Sequence, residues 1–463
     1  YIIYIIYIYT YITMGEWCGK NLRDIQGWKE DGLDTTIINN ETAKLFDASV
    51  RQLVSLRDCD QLGGFVKTMT NMLNNEPDAV LPRIFVLAVD VLGTNKTWYV
   101  NEDFKNKINK IIDDTNKYGN EREKLHSKAL KAMAIGYTRK ALHIYECILS
   151  QYPNDLMAIK LSQQLYFFTG QPFSMLSSIN RIIPKWSKDN IMYSYLLGMQ
   201  AFGYEECGDY KKAENISKEA LSLRKEDSWA THALSHVFEM TNQYEKGIDN
   251  LIETSCYWKP CWILECHNFW HLALFYINTG KFEEAMTVYD QNIKPCLLKN
   301  NNACDASGLL QRLEFNNIDV GQKRWDDLTS FILPYTKGNM YPFNYPLMSI
   351  ALAHSSNPKH LRNFVDLDIN FAPICGETAF CVKEISIPIV QGIDEFFKNN
   401  YVKCFDYLYP LRYNIINIGG SNAQRDIFSQ FMINAGKNSE ISSYKEKAKI
   451  IVEERKLFNN IKK

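Results

Sequence analysis

Two pairs of histidines stand out as residues that could do chemistry. His232 and His236, in DSWATHALSHVFEM, and His267 and His271, in ECHNFWHLALFYINTG, make up half of the chain's 8 histidines. A separation of four places both rings of a pair on one helical face. That spacing occurs among zinc ligands, and Glu239 on the same predicted face could complete a three-ligand set. A protease helix of the HExxH kind is excluded, because Ala233 follows His232. Three readings compete: polar core residues hydrogen-bonded within a tightly wound fold, a recognition surface for a peptide or small anionic ligand, or a metal site. The recognition surface is adopted, with no metal or cofactor assigned, since spacing alone argues for an ion. Cys256, Cys261 and Cys266 lie close by in sequence, but steps of five put each on a different helical face, so they read as buried thiols.

A second focus is GGSNAQRD, beginning at Gly419. Gly419 and Gly420 permit positive φ or a close backbone approach. Ser421 is a predicted N-cap with Gln424 three residues on, the spacing of a capping box. The amides of that helix start, with Arg425 beside them, could hold an anion. The plain alternative is a turn between helices in which Arg425 and Asp426 pair. The segment is also the best candidate for an element that packs into the concave face and closes one end. No nucleotide-binding glycine loop, GxSxG elbow or paired-carboxylate pattern occurs. A serine or cysteine triad would assemble in space rather than in sequence, so an enzyme stays open as the alternative.

The elements that must position these residues are helical hairpins. Residues 122–153 read EKLHSKALKAMA, a Gly136-Tyr137 turn, TRKALHIYECILSQ and a closing Pro153. With Pro153 at position 32 of a tetratricopeptide unit, Ala129 falls at 8, Ala141 at 20 and Tyr145 at 24. Small residues at 8 and 20 let the two helices approach closely, and the aromatic at 24 fills the layer between hairpins. Looser and tidier units follow over 156–183, 194–227, 228 onward and, after an insertion near 256–263, from Cys266. The predicted fold is all-α, a superhelical solenoid of tetratricopeptide-type hairpins over 21–458, clearest over 122–295 and blurred after Leu297. Helices are also predicted near Asn40 (as an N-cap), after the Gly63-Gly64 break, over Ala303–Phe315, from Trp325, toward His354, over 385–399 and 401–412, and in a basic tail from Tyr444 that reads as a solvated face.

In such an array the first helix of each unit lines the concave surface. The register then collects Glu123 and His126; Lys160 and Gln164; Tyr195, Met199, Phe202, Glu205 and Glu206; Trp229, His232, His236 and Glu239; and His267, Trp270 and His271. From these the candidate ligand-binding residues are His126, Lys160, Glu205, Trp229, His232, His236, Glu239, His267, Trp270 and His271, joined by Ser421, Gln424 and Arg425.

Composition sets the remaining bounds. The chain has 463 residues, 46% of them hydrophobic, and a net charge of −1. No basic field is available to hold a nucleic-acid backbone. The 12 cysteines lack metal-type CxxC pairs and suggest free thiols in a reducing compartment, with the cytoplasm as the default. No apolar stretch is long enough for a transmembrane helix, so no membrane partner is expected. The opening YIIYIIYIYTYIT lacks a basic n-region and a cleavage site. It is expected to be a gene-model extension, since an A/T dinucleotide repeat read in frame encodes alternating Tyr and Ile, with Met14 as the start.

Several long pieces carry a resemblance: RDIQGWK, NNETAKLFDASV, EKLHSKA, DSWATHALSHVFEM, CHNFWHLALFYINTGKFEEAMTVYD and LRYNIINIGGSNAQRDIFSQ. Over nearly its whole length after about Asn21 the chain resembles the tetratricopeptide repeat protein 38 family. The resemblance implies one superhelical repeat protein and brings no settled activity with it. The expected function is a binding or scaffold role, recognising a peptide or small ligand in the concave groove. A metal-dependent enzyme using the histidine-lined groove is the alternative.

Overall fold

The computed structural model describes residues 16–93, 98–300, 303–337, 339–366 and 375–460, and the opening Tyr/Ile run lies outside them. Apart from one isolated antiparallel bridge between Arg57 and Cys261, the regular structure among the described residues is helical. The hairpins predicted from the repeat register are all present. They pair α1 (Glu121–Ile135) with α2 (Thr138–Gln151), α3 (Leu156–Phe168) with α4 (Pro172–Ile182), α5 (Tyr193–Glu206) with α6 (Tyr210–Leu223), α7 (Ser228–Met240) with α8 (Tyr244–Glu253), and α9 (Trp262–Asn278) with α10 (Phe282–Val288). Beyond them, α11 (Ala303–Phe315), α12 (Gln322–Ile332) and α13 (Asn344–His354) continue the stack. The chain then reaches α14 (Ile387–Phe397), α15 (Tyr401–Leu408), α16 (Asn422–Asn438) and α17 (Ser442–Asn460). This is an all-α superhelix of tetratricopeptide-type hairpins.

The sequence shows why these helices start, stop and touch. Asn120, Asp155, Asp209 and Asp227 cap α1, α3, α6 and α7 by accepting a backbone N–H in the first turn. Ala129, Ala141, Ala201, Ala213, Ala273 and Ala285 are fully buried where the helices cross. A Cβ on Gly247, the small residue at the equivalent place in the fourth unit, would come within 2.4 Å of the Phe275 ring. These positions are small because the neighbouring helix occupies the space a larger side chain would need.

Two further sets of helices close over the concave side. The helix Asn40–Ser55 packs against α3 and hands its end to the fourth and fifth units: Trp229 Nε1 donates to the Val54 carbonyl at 2.7 Å, and the Trp262 amide to the Leu56 carbonyl at 2.9 Å. From the other terminus, α16 packs against α7 and α11. Two large apolar cores result, one running from Trp17 to Ala233 and the other from Leu234 to Ile451, and they meet within α7, the helix that carries His232 and His236.

Some boundaries differ from the sequence expectation. The N-cap of the helix near residue 40 is Asn39, which accepts from the amides of Glu41 and Thr42, while the Asn40 side chain accepts from the Ile25 amide instead. Helix α9 begins at Trp262 rather than Cys266, because the insertion contains only the short turn Ser255–Trp258 and leaves Cys261 as the residue before the helix. The run expected from Trp325 starts at Gln322. All 12 cysteines are free. Cys261 and Cys266 are buried as expected, whereas Cys256 is only partly covered. The tail is not wholly solvated: Ala448 and Ile451 are buried, and Arg455 pairs with Asp426 at 2.7 Å. No helix among the described residues is long and apolar enough to cross a membrane.

Candidate functional site: a buried histidine cluster

Because α7 and α9 are the first helices of neighbouring units, their inner faces meet, and both histidine pairs lie on those faces. His232 contacts His267 at 4.8 Å between ring centroids, and His236 contacts His271 at 4.4 Å. Within α7 the two Nε2 atoms are 2.9 Å apart. All four rings are buried, and Phe202 packs against the α7 pair while Trp270 stacks on His267 at 5.0 Å.

Carboxylates hold the outer nitrogens of the α9 pair. His267 Nδ1 lies 2.8 Å from Asp305 Oδ2, and His271 Nδ1 lies 2.9 Å from Glu239 Oε2. His236 Nδ1 is 3.6 Å from Glu205 Oε2, too long for a hydrogen bond. Several buried polar atoms in this centre have no partner: Nδ1 of His232 and of His236, and Nε2 of His271. The Glu205 carboxyl has its neighbour Glu206 as hydrogen-bond partner. Buried polar groups normally find partners, so each exception calls for an explanation.

Burial dominates the electrostatics. It pushes His232, His236 and His271 well below the usual imidazole range, reinforced by the neighbouring rings, so these histidines are neutral. Burial raises Glu205 well above the carboxylate range, and the Glu206 and Glu239 carboxylates add to the shift. Glu239 is raised by burial to about 8. A neutral acid, Glu205, therefore faces a neutral base, His236.

Helix α16 roofs the centre with the GGSNAQRD segment. Gly419 and Gly420 have φ of 86° and 79°, and a Cβ on Gly419 would come within 2.4 Å of the Phe168 carbonyl oxygen, so both anticipated reasons for glycine apply at once. Ser421 and Gln424 form the full capping box. The anion at this helix start is the chain's own Glu206: Asn422 N donates to its Oε1 at 2.9 Å, and Arg425 Nη2 lies 3.5 Å from its Oε2. Arg425 thus pairs with Glu206 rather than with Asp426, which is held by Arg455. Gln424 Nε2 donates to Asp305 Oδ1 at 2.6 Å, which links the roof to His267 through one carboxylate.

The remaining predicted residues sit elsewhere along the wall. Lys160 is buried over the Trp229 ring at 4.1 Å, its one hydrogen bond going to Gln164 at 3.2 Å, and burial lowers its pKa to about 7. Trp229 edges toward His232 at 6.2 Å, which places Lys160 beside the histidine centre through one indole. His126 lies apart, in the first unit, with Nε2 2.9 Å from Asp155 Oδ2. The register missed Asp305 and Arg312, which both belong to α11. They are seven apart and therefore share a helical face, and Arg312 Nη2 donates to the Ala423 carbonyl at 2.8 Å. Carrying the repeat one hairpin further, into the recognised Ala303–Phe315 helix, would have found them. Two surface hollows lie away from the histidines. One of about 340 Å³ is lined by Phe168, Tyr341, Phe380 and Cys381, and another of about 390 Å³ by Leu45, Gln61 and Asn71.

No family model matches the chain. Among solved structures it is similar to yeast Tom70, at 11% identity over 91% of this chain and 90% of that one with a TM-score of 0.40. It is also similar to a chain of the APC/C hetero-tetramer Cut9-Hcn1, at 11% identity over 86% and 77% of the two chains with a TM-score of 0.36. The assignment of the fold therefore stands on the hairpins and their packing, described above.

Proposed function

We propose that this is a helical-repeat binding protein of the tetratricopeptide repeat protein 38 kind, one continuous superhelical unit working in the cytoplasm, whose concave wall recognises a small ligand at the histidine cluster. The observation that carries this reading is a contrast within the groove. Asn40–Ser55 and α16 pack over the wall and His126, Lys160, Glu205, His232, His236, His267 and His271 are all buried rather than open to an extended peptide, yet beneath α16 several polar atoms have no protein partner. A small polar species or ion would satisfy them where a peptide backbone has no room. Trp229, Trp270 and Lys160 then serve as walls of the centre, and Ser421, Gln424 and Arg425 as its lid.

The test is native mass spectrometry on tag-free, full-length protein. The expected result is a small mass excess over the denatured chain, lost in His236→Ala. A partner protein captured by the wild type and lost with Lys160→Ala plus His236→Ala, with no small mass excess, would favour a scaffold instead. The enzyme alternative draws on one specific observation, the neutral Glu205 facing neutral His236 across 3.6 Å, an acid and base held for proton transfer.

A further inference from the structure

We propose that His232, His236, His267 and His271 form a site for one divalent transition-metal ion of the zinc class, a proposal that rests on the small-ligand reading above and names the ligand. One ring nitrogen from each histidine lies within 4.8 Å of one from every other, and the closest measured pair is 2.9 Å apart. Bonds of ~2.0–2.1 Å in a tetrahedron place ligand nitrogens about 3.4 Å apart, inside that span. Modest rotations of the rings suffice to close on an ion.

The groups around the rings fit the same chemistry. With Nδ1 of His267 and His271 facing Asp305 and Glu239, Nε2 is the nitrogen left to ligate, and Nε2 of His271 is buried without a partner. Carboxylates on the outer nitrogens are what fix tautomer and ring direction in histidine metal sites. They also offset the charge of an ion bound by four neutral ligands. Imidazole-only ligation suits zinc, copper, nickel and cobalt, and excludes the oxygen-seeking calcium and magnesium. Cys266, one residue from His267, points its thiol at the Ile293 carbonyl at 3.9 Å and takes no part. Four protein ligands form a closed set, so the ion ties the first helices of two neighbouring repeats together rather than presenting an open position to a substrate.

Tag-free, full-length protein stripped with a chelator and titrated with Co²⁺ tests this. The expected result is the visible d–d band of a tetrahedral site, saturating at one equivalent and displaced by Zn²⁺. His232→Gln with His271→Gln abolishes the band, while His143→Gln, on an exposed position of α2, leaves it unchanged. Glu239→Gln and Asp305→Asn keep the stoichiometry but weaken Co²⁺ about 10–100-fold. They carry the test even if the double histidine variant fails to fold. Folded wild type that shows no band, or a band indifferent to Glu239→Gln and to Asp305→Asn, overturns the site. A small organic mass excess in the native spectrum together with no Co²⁺ binding removes the metal and leaves the small-ligand reading intact. Absence of both removes both.

Discussion

The two ends of the concave wall are built from the same repeat and carry the same kinds of side chain, yet a carboxylate organises one end and a cluster of rings the other. In the first unit, Glu123 accepts from the Thr36 amide and hydroxyl and from the Asn120 amide, all at 2.9 Å. Asp155 takes Arg122 at 2.7 Å, His126 at 2.9 Å and the Ala158 amide at 3.0 Å. Even so, His126 Nδ1 and Arg122 Nε stay without partners there, as does a nitrogen on each of three histidines at the fourth and fifth units. Residue type alone does not separate a structural ion cluster from a site. Convergence does: four ring nitrogens lie within 4.8 Å of one another at the histidine cluster, whereas a single ring meets Asp155 in the first unit, and on that ground His126 is assigned to the scaffold and the four paired histidines to the proposed site.

The largest effect expected from this comparison is at the carboxylate end. Asp155→Ala leaves Arg122 and His126 buried without their carboxylate and removes the N-cap of α3, at a cost of about 3–5 kcal/mol in equilibrium denaturation. Asp155→Asn keeps the cap and recovers about 1 kcal/mol of it. Burial raises the Asp155 pKa, but His126 and Arg122 outweigh it and hold the group well below the ordinary carboxylate range. Its stabilisation is therefore fully present above that range and is lost as pH falls through the folded-state value. An acid unfolding profile unchanged by Asp155→Asn would break the contrast at this end.

At the ring-cluster end the sign reverses. Glu205→Gln replaces a carboxyl that burial, Glu206 and Glu239 keep protonated, so the metal-free protein is expected to gain about 1–3 kcal/mol at neutral pH. A loss of the size seen for Asp155→Ala would show that Glu205 is a structural partner after all.

Lys160 lies between the two ends and gives a pH signature. Burial lowers its pKa from the model-peptide value of 10.5 to about 7 in the folded chain. Between those values the unfolded chain binds the extra proton, so stability contributed at this site rises as pH increases from about 7 toward 10.5. Lys160→Met removes that slope. At pH 7 the variant is expected to be about 1–2 kcal/mol more stable, the relief of burial exceeding the lost contact with Trp229. Parallel stability-versus-pH curves for wild type and Lys160→Met would refute it.

Much of this was legible in the residues themselves. Alanines at the crossing points, interlayer aromatics and turn residues report local packing, and they placed the five hairpins to within a few residues. The inward facing of all four paired histidines followed from the same periodicity. What the repeat could not carry is anything that depends on contacts between distant parts of the chain. That Asn40–Ser55 and α16 pack against the repeat helices, that Glu206 rather than a bound anion meets the start of α16, and that Gln424 reaches Asp305 are facts of superhelical pitch and of segments more than a hundred residues apart. GGSNAQRD was recognisable as a cap and a close approach, but its partners Phe168 and Glu206 carry no mark in the sequence.

The smallest of these effects concerns the roof. Ser421→Ala deletes the hydroxyl that accepts from the Gln424 amide at 3.2 Å and leaves the returning bond, which the Ser421 amide donates to Gln424 Oε1 at 2.9 Å. Loss of one half of a capping box costs about 1 kcal/mol. Gln424 Nε2 still reaches Asp305, so the orientation of His267 survives, and stability falls by that amount in urea while Co²⁺ stoichiometry stays the same. The deep apolar face of α16, with Ile427, Phe428 and Phe431 fully buried, is why the roof stays down when one cap bond is lost. If Ser421→Ala instead cost as much as Asp155→Ala, the two ends would be equally dependent on their charge and cap contacts. The unmatched atoms beneath α16 would then reflect a strained lid rather than a binding site.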